Sequence, residues 1–143
     1  MKKILIFTLI TLIAIQFIKI GIDKNKNSNS SSEIVAPQNI KVILQKSCYD
    51  CHSNSYKIPW YGDMAPSSWF VRSHINNGRK ALNFSEFNNY DKAKQKKLYG
   101  DITKSIVLRM PLSSYLGLHS NAKLSKKEKD AIKVWGIDAK NKL

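Results

Sequence analysis

The pentapeptide Cys48-Tyr49-Asp50-Cys51-His52 constrains this chain more than any other feature, because it contains the only two cysteines of the sequence. Two cysteines separated by two residues and followed directly by a histidine form the CxxCH pattern of c-type haem attachment. The spacing lets both thiols meet the two vinyl groups on one edge of the porphyrin while the histidine turns its imidazole onto the iron. We therefore predict one haem c, bound covalently through Cys48 and Cys51, with His52 as the proximal iron ligand.

Three other functions explain the two cysteines less well. A thioredoxin-like redox dithiol normally opens a helix after a strand, and no strand-like pattern precedes Cys48. A tetrahedral zinc site needs four ligands, whereas Cys48, Cys51 and one of His74 or His119 supply three. A disulfide between the two cysteines would leave His52 without an explanation.

The N-terminal residues 1–22 have the pattern of an export signal or a membrane anchor. Lys2 and Lys3 precede an apolar stretch over residues 4–18, which Gln16 interrupts. Since no small-residue cleavage site follows, we predict an uncleaved single-pass helix in the cytoplasmic (inner) membrane, with the haem domain on the periplasmic, outer side. The alternative is a cleaved signal peptide and a soluble periplasmic protein.

Composition divides the remaining chain and suggests its partners. Residues 23–33 are polar and of low complexity, which predicts a flexible linker, and residues 34–143 are enough for one domain. Without the three lysines of residues 1–22, the chain carries 21 basic and 10 acidic residues, or +11. Such a charge favours redox partner proteins with acidic docking surfaces. Nucleic acid is a poor partner, because the lysines are scattered and the exported location separates the domain from it.

Periodicity and capping signals predict an all-α domain. We expect helices over residues 37–47, over residues 66–77 with Gly78 as the stop, from an Asp91 cap to about residue 108, and after the capping box of Ser125 and Glu128. No strand-like alternation extends beyond four residues. One bound haem would give such a short chain a large apolar body to pack around.

A series of short motifs makes the interpretation more specific. In order, the chain contains CYDCHSN from Cys48, Pro59-Trp60-Tyr61, Asn83-Phe84-Ser85-Glu86, Met110-Pro111-Leu112 with Tyr115, and His119 followed by Ala122, Leu124 and Trp135. Together they resemble the haem-binding domain family, small exported proteins with one CxxCH site, over residues 35–137. The last third is also similar to class I cytochromes c, which implies a small cytochrome c-like helical domain around one covalent haem. Two departures are Phe87, where the family pattern implies tryptophan, and Met64, where it implies an aliphatic residue.

The second axial ligand decides what the iron can do. Met110 follows a predicted helix, and Pro111 stiffens the backbone behind it, as a thioether ligand on a loop would require. We predict Met110 and His52 as the two metal ligands, with His74, His119 or an open position as alternatives. Met64 lies too near the attachment motif to reach the distal face. Trp60, Tyr61 and Trp69 are predicted to line the porphyrin or to bond its propionates, although simple core packing also explains them.

These predictions favour an electron carrier over an enzyme. We expect a membrane-tethered mono-haem c-type cytochrome that carries single electrons between redox partners outside the cytoplasmic membrane. The alternative is a haem-based gas sensor or a peroxidase-like small-ligand enzyme, which needs an open or displaceable distal site. No obvious distal acid–base pair for peroxide chemistry is present in the sequence, so no catalytic residue is predicted.

Overall fold

The computed structural model describes residues 1–22 and 30–143, and within these ranges the chain is helical without β-strands. The helices are α1 (Lys2–Ala14), α2 (Gln38–Ser47), α3 (Tyr49–His52), α4 (Ser67–Ala81), α5 (Lys92–Leu108), α6 (Ser113–Leu116) and α7 (Lys126–Asn141). Short 3₁₀ turns cover Ile15–Phe17, Ser30–Ser32, Trp60–Asp63, Phe84–Asn89 and Ser120–Ala122. The all-α prediction is confirmed.

The capping signals identify the starts of α5 and α7 correctly. The Asp91 side chain accepts a hydrogen bond from the backbone N–H of Lys94 at 2.8 Å, which satisfies a donor that the helix itself leaves open. At the start of α7, Ser125 and Glu128 form a reciprocal capping box. These two helices pack against each other, and Gly136 of α7 allows the close contact, because a Cβ atom there would lie 2.6 Å from Cγ2 of Thr103.

Helix α4 extends past its predicted end. Gly78 was expected to stop this helix, but α4 continues to Ala81, so that prediction is wrong. The reason for the glycine is a close approach to another element. A Cβ atom at Gly78 would collide with the carbonyl oxygen of Cys51 and would lie 3.1 Å from its carbonyl carbon. Gly78 therefore brings α4 into contact with the backbone of α3.

The apolar core lies mainly between α2, α5 and α7. Phe87 and Ile132 are completely buried in it, with Leu44 and Phe84 almost so. Phe87 packs on the Tyr99 ring, with 4.8 Å between the ring centroids. A phenylalanine thus fills the position at which the family pattern implies a tryptophan.

Of the predicted linker over residues 23–33, residues 23–29 lie outside the described part of the chain. Residues 30–33 are folded against the domain. The Glu33 carboxylate accepts hydrogen bonds from the Tyr49 hydroxyl at 2.8 Å and from Lys41 Nζ at 2.9 Å. The Asn88 side chain donates to the Glu33 carbonyl at 2.7 Å. These contacts join the last residues of the predicted linker to the domain.

Helix α1 is shorter than the predicted N-terminal helix. It ends at Ala14, a 3₁₀ turn follows, and Ile18 is extended. In this region the Gln16 side chain bonds the Ala65 backbone of the domain. Within residues 1–22 and 30–143, no helix is both long enough and apolar enough to cross a membrane.

Candidate functional site

A cavity of about 960 Å³ opens between α3, α4 and α5 and the segment that follows α5. Its volume lies at the upper end of the range for cofactor and small-molecule pockets, roughly 300–1,000 Å³. Much of the wall is aliphatic, and the residues that form this part include Leu44, Val71, Ile75, Leu98, Ile102 and Ile106. The cavity therefore suits a large apolar group that makes a few polar contacts.

The CxxCH pentapeptide forms one wall of this cavity. Cys48 ends α2, and the one-turn helix α3 begins directly after it. The backbone N–H groups of Cys51 and His52 donate to the Cys48 carbonyl at 3.2 and 3.0 Å. This tight turn brings all three side chains to the cavity, as the attachment prediction requires.

The imidazole of His52 is fixed by a backbone acceptor. Its Nδ1 lies 3.0 Å from the carbonyl oxygen of Leu82, so Nδ1–H donates and Nε2 remains as the nitrogen available to a metal. Burial lowers the pKa of His52 and outweighs the hydrogen bonds to the Leu82 and Gly78 carbonyls, which act in the opposite direction. The neutral imidazole, which is the form that binds metals, is therefore favoured.

The two thiols do not resemble a reactive dithiol. Burial raises the pKa of Cys48 to about 12 and that of Cys51 to about 11. Thioredoxin-like cysteines need a lowered pKa, so the environment of Cys48 and Cys51 is unsuited to dithiol redox chemistry. Within the described residues, no three His, Cys, Asp or Glu side chains come close enough to hold a metal ion together. The zinc alternative, with His74 or His119 as third ligand, therefore has no geometric support.

Met110 lies on the wall of the same cavity as His52. Its backbone N–H donates to the Ser105 carbonyl at 2.9 Å, which closes the end of α5. By contrast, Met64 is 50% exposed and is not part of the cavity wall. Of the two methionines that follow the attachment motif, only Met110 is therefore placed beside the cavity.

His74 and His119 also line the cavity, so both stay as alternatives for the second axial position. The Nδ1 atom of His74 lies 3.0 Å from the Phe70 carbonyl oxygen. That of His119 lies 3.1 Å from the Tyr115 carbonyl oxygen, and its ring stacks on Tyr115 with 4.1 Å between centroids. Each ring is thus oriented by its own helical turn and keeps Nε2 for another partner.

Comparison with known families agrees with this geometry. The sequence model of the haem-binding domain matches residues 10–137. The chain belongs to the haem-binding domain family. The resemblance inferred from the sequence motifs is thereby confirmed, and a haem cofactor is supported. No curated protein and no solved structure matches the chain.

The residues of this haem-binding domain fit its cofactor. Two thiols, one oriented imidazole and one thioether border a single largely apolar cavity, and this donor set fits a haem. One buried hydroxyl on the cavity wall, Oγ of Ser47, has no hydrogen-bond partner among the described residues. Such an orphaned group is unusual in a protein interior and indicates that the wall is shaped for something besides the chain itself.

A polar cluster connects the attachment motif of the haem-binding domain to the segment after Met110. The Tyr115 hydroxyl donates to Oδ2 of Asp50 at 2.8 Å, and the Tyr61 hydroxyl lies 3.5 Å from Nδ1 of His119. Burial raises the pKa of Tyr115, and its hydrogen bond to Asp50 raises it further, so this phenol stays protonated. Sequence reasoning missed the role of Asp50, since its partner lies 65 residues away.

Of the three aromatic side chains predicted to touch the cofactor, one lines the cavity and two do not. Tyr61 lines the cavity. Trp60 is 77% exposed, and neither it nor Trp69 is part of the cavity wall. The indole N–H of Trp69 instead donates to the carbonyl oxygen of Ile18 at 2.6 Å, on the outer side of α4.

Proposed function

We propose that this haem-binding domain is a membrane-tethered mono-haem c-type cytochrome that carries single electrons between redox partners outside the cytoplasmic membrane. One observation supports the proposal above all. Cys48, Cys51, His52 and Met110 border one cavity, and a backbone hydrogen bond orients the imidazole with Nε2 left for iron. In this proposal the two thiols hold the haem as thioethers, and His52 and Met110 are its axial ligands.

A bound haem would supply one-electron chemistry between ferric and ferrous iron. The chain would set the conditions for that chemistry. Its aliphatic wall limits the access of water, and the Leu82 carbonyl keeps His52 in one tautomer. Two axial protein ligands would keep the iron closed to other molecules, which suits a carrier rather than an enzyme.

The charged rim of the cavity supports an acidic partner. Lys57, Lys104 and Arg109 are exposed residues that border the cavity, and only Asp50 and Asp101 oppose them there. Together with the high net charge, these side chains would steer an acidic docking surface towards the cavity. We propose that electrons pass to such partner proteins at this rim.

The apolar α1 supports the proposed membrane tether. Its large apolar side chains are exposed, and none of its residues is buried by the rest of the chain. We propose that the lipid bilayer covers them, with the haem domain on the periplasmic side.

Covalent attachment is tested by extraction. In the purified full chain, haem should remain with the protein after acid–acetone treatment. The Cys48→Ala and Cys51→Ala variants should lose haem or release it on extraction, whereas Ser55→Ala, at an exposed neighbouring position, keeps both thiols and serves as the control. Haem that extracts freely from the wild type would refute the c-type proposal.

The second ligand is tested by exchanging methionines. Met110→Ala should abolish the far-red charge-transfer band of the ferric protein, let the ferrous protein bind carbon monoxide, and lower the reduction potential, because a thioether favours reduced iron. Met64→Ala is the matched control, since Met64 lies away from the cavity. If Met110→Ala is silent while His74→Ala or His119→Ala produces high-spin iron, the protein is a bis-histidine cytochrome.

A haem-based sensor or small-ligand enzyme is the second candidate. The Tyr61 hydroxyl and the His119 imidazole favour it, because both are polar groups on the cavity wall that a small ligand could contact. Ready binding of carbon monoxide by the wild-type ferrous protein at neutral pH would support this candidate over the carrier.

A further inference from the structure

The polar residue that interrupts the apolar N-terminal segment makes a specific contact with the domain. Nε2 of Gln16 donates to the Ala65 carbonyl at 3.0 Å, and Oε1 of Gln16 accepts from the Ala65 N–H at 2.9 Å. Nε2 also donates to the Leu12 carbonyl of α1 at 3.0 Å. A side-chain amide that satisfies both backbone groups of one distant residue fixes position and orientation together. Gln16 is therefore a docking residue.

Two more hydrogen bonds extend this contact along α4. The Trp69 indole donates to the Ile18 carbonyl at 2.6 Å, and the Asn76 side-chain amide donates to the Gly21 carbonyl at 2.9 Å. Trp69 and Asn76 are seven residues apart and lie on one face of the helix. Residues 16–21 thus follow the outer side of α4, whose other side forms the cavity wall.

Exposed apolar side chains lie near this contact, both on the domain and on the N-terminal segment. Trp60 and Met64 precede Ala65 and are 77% and 50% exposed, and Phe17 on the N-terminal segment is 81% exposed. Single exposed apolar residues are ordinary on a protein surface. These three are different because of their place in the chain: Phe17 lies three residues after α1, and Trp60 and Met64 lie within five residues of Ala65, which Gln16 contacts. From residue 4 onward α1 is apolar except for two threonines, and it leaves its side chains uncovered.

We propose that Trp60, Met64 and the docked residues 16–21 form a surface that rests on the lipid bilayer. The proposal rests on the membrane attachment proposed above and adds to it a fixed orientation. Once α1 is in lipid, Gln16 holds the Ala65 backbone at the depth of the end of α1. Trp60 then lies in the headgroup region, where tryptophan is favoured. Helix α4 separates the haem cavity from the membrane, so the tether restricts the domain instead of letting it turn freely.

Spin labels on two faces of the full-length haem protein test this orientation. Met64→Cys carries the label on the proposed surface, and Val134→Cys, 68% exposed on α7, is the matched control. Each labelled chain is reconstituted in vesicles of phosphatidylcholine and phosphatidylglycerol. We expect the label at position 64 to show a several-fold higher ratio of collision with oxygen, which concentrates in lipid, to collision with a water-soluble nickel chelate. In the double variant Gln16→Ala, Trp69→Phe, that ratio should fall to the value at position 134.

The outcomes separate this surface from the membrane tether. Equal ratios at positions 64 and 134 in protein that floats with the vesicles would overturn the surface and leave the tether standing. A chain that does not float would overturn both. An unchanged ratio in the double variant would overturn the docking role of Gln16 and Trp69. The absorption spectrum of the same samples reports haem attachment independently of all three.

Discussion

Gly78 offers the sharpest test of the architecture around the attachment motif, because its lack of a side chain lets α4 touch α3. An alanine Cβ there would overlap the carbonyl oxygen of Cys51 and lie 3.2 Å from Cβ of the same residue. Backbone atoms cannot rotate away as a flexible side chain does, so the two helices must separate. Overpacking of this kind costs about 1–3 kcal/mol, and the better helix propensity of alanine returns about 1 kcal/mol. We therefore expect Gly78→Ala to lower the free energy of unfolding by up to about 2 kcal/mol.

The same chain provides a matched control at Gly100 within α5. A Cβ atom there meets only Nζ of Lys140 at 3.7 Å, an ordinary contact with the end of a flexible side chain. Gly100→Ala should therefore gain the helix propensity without the collision and raise the free energy of unfolding by up to about 1 kcal/mol. The difference between the two variants isolates the contact with Cys51.

Urea denaturation followed by circular dichroism measures that difference. The two variants should differ by the overpacking cost of about 1–3 kcal/mol. With a slope of about 2 kcal/mol per M, their midpoints should then differ by about 0.5–1.5 M. The fraction of protein with covalently attached haem should also fall in Gly78→Ala, because Cys51 itself must move. Equal stabilisation by the two alanines would show that α4 and α3 do not approach as closely as described, and the reasoning would fail.

Three further results should follow. Tyr115→Phe removes the hydrogen bond to Asp50, which should cost about 1.5–3 kcal/mol of stability and raise the carbon monoxide affinity of the ferrous protein by loosening the segment after Met110; unchanged affinity would separate Tyr115 from ligation. The hydrogen bond from Lys46, with those from Ser125, lowers the pKa of Glu128 to about 2 from 4.5. The stability that the ionised Glu128 contributes is therefore present above pH 4.5 and is lost as the pH falls towards 2. In Glu128→Gln, the melting temperature should therefore fall less steeply with acidification than in the wild type. Parallel plots of melting temperature against pH for the two proteins would contradict this. Electron exchange with an acidic partner should slow steeply between about 0.1 and 1 M salt, where the screening length falls from about 10 to 3 Å, and rates independent of salt would remove steering as an explanation.

Local signals account for the parts of the fold that the sequence predicts well. Asp91 and Ser125 each act within one helical turn, so their sequence neighbours are also their structural partners. The CxxCH spacing acts over five residues and is equally local. The helix type and the proposed attachment residues can therefore be predicted from short stretches of sequence, without knowledge of the tertiary arrangement.

The remaining features depend on contacts between distant parts of the chain. Leu82, which orients the His52 imidazole, lies 30 residues from it, and Ala65 lies 49 residues from Gln16. Gly78 is an example. A glycine after an apolar helical pattern is equally compatible with the end of the helix and with a close contact between two helices. Only the position of α3 distinguishes the two meanings. The same holds for Trp69, whose indole reaches the N-terminal segment instead of the cavity.

Helix α4 shows why the cavity and the cofactor belong together. The main apolar core contains no side chain from this helix, and the buried residues of α4 are Ser68, Ile75 and Arg79. Ile75 faces the cavity. The apolar core therefore contributes little to the placement of α4. The helix is held in part by the contact of Gly78 with Cys51 and by an ion pair between Arg72 and Asp63 at 3.0 Å. A haem bonded to the Cys51 side of that cavity would supply the missing apolar contact, so attachment of the cofactor and placement of α4 should be one event.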